Sequence, residues 1–266
     1  MKILIIGGGN MGRTYARSFL RGHVASPEQL FILEKSPDRA EVLAKENVGT
    51  VFDNPEDCMP AADLIILAVK PQDSKILFPQ IKPFIHPQQV LLSIMAGVKM
   101  ESIATALGNR KVIRAMPNLP AQIGMGMTVF TSMDDVTRIE LVLVQNLINT
   151  TGKTIYVEKE EAIDAATAIS GSGPAYVWFF MNAMMEAART MGFSTSEAEL
   201  LVSQTFKGAV DLFHKSDYDC EEWIRRVCSR GGTTEAALAS FDSTDLNQQI
   251  RQGAFAALSR AIELGK

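Results

Sequence analysis

The feature that most restricts the fold is a series of short β-branched or aliphatic runs: "KILIIG", "LFILEK", "TVF", "LIILAV", "VLLSIM", "KVIRAM" and "MTVFTS", all before about residue 132. A strand with water on one face alternates polar and apolar residues. These runs do not alternate, so both faces of the sheet they form must be covered. Longer stretches of helical character separate them, which is the pattern of a doubly wound, mainly parallel α/β sheet. A last strand, "KTIYVE", precedes a change near residue 160, beyond which strand signals stop. The expected organisation is a sheet domain over residues 1–160 and an all-helical domain over residues 161–266.

In the helical part Pro174 suits a first helical turn and Gly192 a left-handed stop, predicting a helix between them. "STSE" at 194–197 has capping-box spacing ahead of the periodic "AELLVSQTFKGAVDLF". A final helix carries Leu246, Ile250, Ala254, Ala257, Leu258 and Ala261 on roughly one face. A single layer of such helices cannot bury itself, so this half is expected to dimerise.

Composition narrows the function. A net charge of −4 gives no basic surface for nucleic acid. The apolar run "AYVWFFMNAMM" is too short for a bilayer, which needs about twenty apolar residues, and it carries Asn182. Neither a nucleic-acid nor a membrane partner is expected. The three cysteines, Cys58, Cys220 and Cys228, lack zinc-site spacing and suit a reduced, cytoplasmic compartment. No metal site is expected.

"GGGNMG" places Gly7, Gly9 and Gly12 in G-x-G-x-x-G register between a strand and a helical "GRTYARSFL", with Asn10 and Met11 inside the turn. One glycine turns the chain, the next admits a pyrophosphate, and the third lets helix and strand pack. The Rossmann-type turn therefore implies NADPH or NADH. Glu34 ends the second strand, 22 residues after Gly12. A carboxylate there would accept hydrogen bonds from an adenosine ribose and favour NADH. Its neighbours Lys35, Ser36 and Arg39 could instead hold a 2′-phosphate, and the sequence leaves the two readings open. "AVKP" (Ala68, Val69, Lys70, Pro71) follows the fourth strand, where chain ends border the nicotinamide. Lys70 is either an ordinary solvated lysine or one that meets cofactor or substrate. Ala96 and Gly97 of "MAGV" end the next strand, and Asn118 is the polar member of the double-proline turn "MPNLP".

Little acid–base equipment remains, because His23, His86 and His214 lie in no motif and no serine sits in a nucleophile elbow. Hydride addition to an already protonated imine needs little of it. In the helical half "SGSGPAY" (170–176) reads equally as a kink or a ligand contact. "SRGGTTE" (229–235) heads a helix, where outward-pointing N–H groups favour an anion. A capped helix explains one threonine and Glu235, but leaves two adjacent glycines and a second threonine without a purpose.

The set "GGGNMG", "AVKP", "AGV", "RAMPN-P", "SGSGPAY" and "SxGGTT", in this order and spacing, resembles the pyrroline-5-carboxylate reductases end to end. The resemblance implies NAD(P)H-dependent reduction of the C=N bond of 1-pyrroline-5-carboxylate to L-proline. It also implies a helical domain interlocked in a homodimer, with further assembly into a decamer and active sites completed by the partner chain. On these residues it implies that Ser229, Gly231, Gly232 and Thr233 hold the substrate carboxylate. Thr234 would bond the ring nitrogen, making Thr234 and Lys70 the catalytic candidates. The chain departs from the family at Leu119, Arg230 and "WIRRV" (223–227), which bears on substrate choice more than on reaction class. Two rivals are weaker. A β-hydroxyacid dehydrogenase needs a lysine base, and none stands between Ser170 and Ala188. A non-catalytic nucleotide sensor leaves "SRGGTT" unexplained.

Overall fold

The computed structural model describes residues 1–265. They form two compact units, Met1–Ser172 together with the segment from Ala257 onward, and Gly173–Ala256.

The first unit contains one sheet of eight strands: β1 (Ile3–Ile6), β2 (Leu30–Leu33), β3 (Thr50–Phe52), β4 (Leu64–Leu67), β5 (Val90–Ser93), β6 (Val112–Met116), β7 (Gly126–Ser132) and β8 (Gly152–Tyr156). Their order is β3-β2-β1-β4-β5-β6-β7-β8. Every pairing is parallel except β6 with β7. Each strand coincides with one of the strand-like runs of the sequence, β7 and β8 starting one residue earlier at Gly126 and Gly152. The helices here are α1 (Asn10–Arg21), α2 (Pro37–Glu46), α3 (Pro55–Cys58), α4 (Ser74–Ile81), α5 (Met100–Leu107), α6 (Arg138–Asn149) and α7 (Glu161–Ala166).

The central strands β1, β2 and β4 are wholly apolar because successive residues enter two different cores. Ile3 and Ile5 join Tyr15, Phe19 and Ile148 on one face, while Leu4 and Ile6 join Phe78, Ile81 and Ile103 on the other. Each such side chain contributes about 1.5–3 kcal/mol when fully buried, so no strand position can turn polar cheaply. The chain order reverses between β1 and β4, which opens a crevice at their carboxyl ends.

Buried polar side chains interrupt this apolar rule on three strands: Ser93 on β5, Arg114 on β6, and Thr128 and Thr131 on β7. Arg114 on β6 is fully buried and bonds Glu160 at 2.9 Å and Asp164 at 2.8 Å. Asp164 also takes Lys99 at 2.7 Å, and Glu160 accepts the Met100 N–H at 2.9 Å. The cluster ties the loop after β5, strand β6 and helix α7 together. Helix α7 then widens into a π-helical turn at Thr167–Gly171, where the chain passes through "SGSG".

The second unit is helical: α8 (Gly173–Thr190), α9 (Thr195–His214), α10 (Cys220–Val227), α11 (Thr233–Ser243) and the first part of α12 (Leu246–Leu264). Gly192 adopts φ +104° after α8, and Ser194 and Glu197 form the expected capping box. Among the described residues of this unit only Ala198 and Val202 are buried, whereas Phe179, Met191 and Leu200 are largely exposed. No described helix is long and apolar enough to cross a membrane.

Replacing Arg114 by leucine removes the buried cation shared by Glu160 and Asp164, leaving Asp164 with Lys99 and Glu160 with the Met100 N–H. We expect a loss of about 3–5 kcal/mol of unfolding free energy, read as a lower urea midpoint at fixed protein concentration. An unchanged midpoint would show that the cluster contributes nothing to stability.

Candidate active site

The turn after β1 is built around glycine for reasons that differ along it. Gly7 has φ +103°, and a β-carbon there would lie 2.9 Å from the Ala68 carbonyl oxygen. A β-carbon on Gly12 would run into the Gly7 carbonyl. These two are therefore fixed by packing. Gly9 is not: its φ is −70° and a β-carbon would meet nothing within 4 Å. It is the N-cap of α1, provides no side-chain cap, and the first turn has no acidic residue. The amides of that turn face open space beside a residue whose smallness only an external group requires. This is the geometry that a dinucleotide pyrophosphate fits.

Gly7 and Gly9 share a cleft of about 360 Å³ with Glu34, Lys35, Ala68, Val69 and Lys70. Seven residues proposed from sequence thus converge on it. Arg39, Asp53, Asp73 and Ile76 also line the cleft. Asp53 had a readable signal, since it directly follows β3 at the carboxyl edge of the sheet; Asp73 and Ile76 follow the β4 turn and had none. Asn10, Met11 and Gly12 form the first turn of α1, Ser36 is the N-cap of α2, and Pro71 follows Lys70, so all five adjoin the cleft without lining it.

Glu34 is 3% exposed, and both oxygens of its carboxylate accept hydrogen bonds. Oε2 accepts the Gly8 N–H at 2.9 Å. Oε1 accepts the Ser36 N–H at 2.8 Å and the Arg39 guanidinium at 3.0 Å. Burial alone would raise its pKa, but the hydrogen bonds from Arg39, Ser36 and Gly8 with the Arg39 charge outweigh it and hold the group below the usual glutamate value. The stabilisation is therefore complete above the unfolded-state value and is lost only as pH falls through the lowered one.

Ala96 and Gly97 lie outside this cleft. Gly97 has φ +77°, and a β-carbon on it would come within 2.9 Å of Leu264, so the end of α12 closes directly onto that turn. Asn118 also lies apart, and both ends of its amide are engaged: Nδ2 donates to the Ser170 carbonyl at 3.0 Å and Oδ1 accepts the Met127 N–H at 2.8 Å. It braces the double-proline turn against the π-helical segment.

In the second unit, Ser229–Thr234 head α11 with Gly232 as an N-cap lacking a side-chain hydrogen bond. The two glycines now have local reasons. Gly231 adopts φ +72°, and a β-carbon on Gly232 would sit 2.5 Å from Ser229 Oγ. The Gly231 N–H already donates to Glu235 at 2.6 Å. The Gly232 N–H donates to the Ser229 carbonyl at 3.0 Å, and what the turn leaves for a ligand are the Thr233 and Thr234 amides and hydroxyls. The "WIRRV" departure is also local: Arg226 lies 4.0 Å from the Tyr218 ring centre and bonds Glu222 at 2.8 Å.

Residues 160–264 match the family model described as pyrroline-5-carboxylate reductase dimerisation. The chain is 33% identical over 266 residues to the pyrroline-5-carboxylate reductase of Pseudomonas aeruginosa, covering 100% of this chain and 97% of that one. The chain belongs to the pyrroline-5-carboxylate reductase family. The family's second enzyme in Bacillus subtilis is 33% identical, with 94% of this chain and 90% of that one covered. The family fold is seen in a solved structure from Coxiella burnetii, with a TM-score of 0.90, 30% identity and coverage of 100% and 98%. The Plasmodium falciparum pyrroline carboxylate reductase, solved with NADP bound, gives a TM-score of 0.91 at 27% identity, again covering 100% and 98%. Residues 2–97, from β1 to the Gly97 turn, match a further family model, NADP oxidoreductase coenzyme F420-dependent.

Gly9→Ala separates the packing glycines from the ligand glycine. Unfolding free energy should change by no more than about 1 kcal/mol, while the dinucleotide Kd measured by calorimetry should rise about tenfold or more. Unchanged affinity would remove Gly9 from the binding surface.

Proposed function

We propose that this chain reduces the C=N bond of 1-pyrroline-5-carboxylate to L-proline, the last step of proline synthesis, with NADPH or NADH as reductant. The observation that carries the reading is the open, uncapped helix start at Gly9 in a chain related over its full length to enzymes of that name. When bound, the reduced dinucleotide supplies the reducing equivalent to the imine carbon.

The chain's own residues bind and orient. Gly7, Gly9 and the amides of Asn10, Met11 and Gly12 hold the pyrophosphate, where a helix start favours negative charge. Glu34, Lys35 and Ser36 border the adenosine ribose. Ala68, Val69, Lys70 and Pro71 line the way toward the nicotinamide, and the backbone at Ala96 and Gly97 limits where the ring can lie. Asn118 supports that end through the turn it braces. The Thr233 and Thr234 amides with Ser229 hold the substrate carboxylate, and Gly231 and Gly232 shape the turn. Thr234 Oγ1 bonds the ring nitrogen and holds its proton. Lys70 is a second catalytic candidate, set at the end of β4. The work is positioning with charge stabilisation, as a substrate already protonated at nitrogen requires.

In this reading residues 1–160 serve the dinucleotide and 161–266 serve dimerisation and substrate. The exposed apolar side chains of α8 and α9 support a homodimer; assembly into a decamer and a cytoplasmic location belong to the same reading.

The assay is loss of reduced-nicotinamide absorbance on adding 1-pyrroline-5-carboxylate. Thr234→Ala should lower kcat/KM by about a hundredfold or more; wild-type turnover and affinity would refute its role. Gly232→Val, which crowds Ser229 Oγ, should raise the substrate KM while dinucleotide affinity holds. Loss of dinucleotide affinity instead would misplace the carboxylate site.

A further inference from the structure

The end of β2 leaves an opposition open: Glu34 stands beside Lys35, Ser36 and Arg39, three residues that suit a phosphate. The hydrogen bonds settle it. We infer that Glu34 sets this enzyme's preference for NADH over NADPH, by presenting a fixed, ionised carboxylate where the 2′ substituent of the adenosine ribose must lie. The inference rests on the dinucleotide reading of the cleft and deepens it.

Position comes first. Glu34 closes β2 at the carboxyl edge of the sheet, lines the same cleft as Gly7 and Gly9, and is joined to the glycine turn through the Gly8 N–H at 2.9 Å. In a sheet of this winding the residue at that place meets the adenosine ribose. A β-carbon on Gly8 would lie 3.2 Å from Glu34 Oε2 and would also strike Leu43, so carboxylate and turn are fitted to each other.

The acceptor count comes next. A carboxylate offers about four acceptor positions. Two on Oε1 are taken by Ser36 and Arg39, and one on Oε2 by Gly8. The remaining position on Oε2 suits a hydroxyl donor. A phosphate has no such proton to give at neutral pH and brings a charge of about −1.5 to −2.

Two of the residues that could have served a phosphate are turned onto Glu34. Arg39 is held 3.0 Å from Glu34 Oε1, and the Ser36 N–H donates to the same oxygen. Turning either toward a phosphate would strip partners from a carboxylate that is 3% exposed. Asp53 and Asp73 on the cleft wall add negative charge, and Lys35 and Lys70 are its remaining cations. Arg39 and the Ser36 N–H therefore anchor the selector.

The test is calorimetric titration of the full-length protein with NADH and NADPH separately, without substrate. Wild type should bind NADH about tenfold tighter or more. Glu34→Gln, similar in size, should shrink that ratio about fivefold or more, chiefly by tightening NADPH. Arg39→Ala guards against misfolding of the first variant: the preference for NADH should persist, because Gly8 and Ser36 still hold Glu34. Equal or tighter NADPH binding by wild type overturns the inference, as does a selective loss of NADPH affinity in Arg39→Ala. Binding of neither nucleotide would remove the dinucleotide reading, and this preference with it.

Discussion

The contact on which the structure turns is the seat of Gly12 against the Gly7 carbonyl. It lets α1 leave the sheet directly over β1, placing Tyr15 and Phe19 of α1 in the core with Ile3 and Ile5. Gly7 in turn presses on the Ala68 carbonyl at the end of β4. Two close backbone approaches thus bring the β1 and β4 turns to one cleft at the point where the strand order reverses. Gly9, which neither contact constrains, is left to face outward.

The centre of the sheet was legible because both of its faces are buried, which made β1, β2 and β4 continuous apolar runs. The helix boundaries in the second unit were legible from local chemistry, as at Ser194 with Glu197 and at Gly192. The nucleotide turn was legible because its glycines stand at fixed spacing between a strand and a helix. Less could be read where partners lie far apart in sequence. Lys99, Arg114, Glu160 and Asp164 give no periodic signal, yet they form the buried cluster behind α7. Asn118 looked like a ligand residue because it was the one polar group in its turn, and its partners at Met127 and Ser170 are set by tertiary packing.

The "SRGGTT" turn gives a different lesson. Its paired glycines suggested an anion by seeming purposeless, but a left-handed φ at Gly231 and the crowding of Gly232 against Ser229 account for both. The support for a carboxylate site rests instead on the uncapped start of α11 and the two threonine hydroxyls. Glutamate is again informative: Glu235 and Glu34 each accept backbone N–H groups of a glycine turn, one at a helix start and one at a strand end. Reading such a carboxylate as exposed charge misses that it organises the turn.

The reductase account is tested most directly by isotope transfer. With reduced dinucleotide carrying deuterium at the transferred C4 position, in ordinary water, the proline formed from 1-pyrroline-5-carboxylate should hold one deuterium. That label should sit on the ring carbon next to nitrogen and opposite the carboxylate-bearing carbon. Proline without label at that carbon, or no proline from turnover that still consumes the dinucleotide, would contradict direct reduction of the imine.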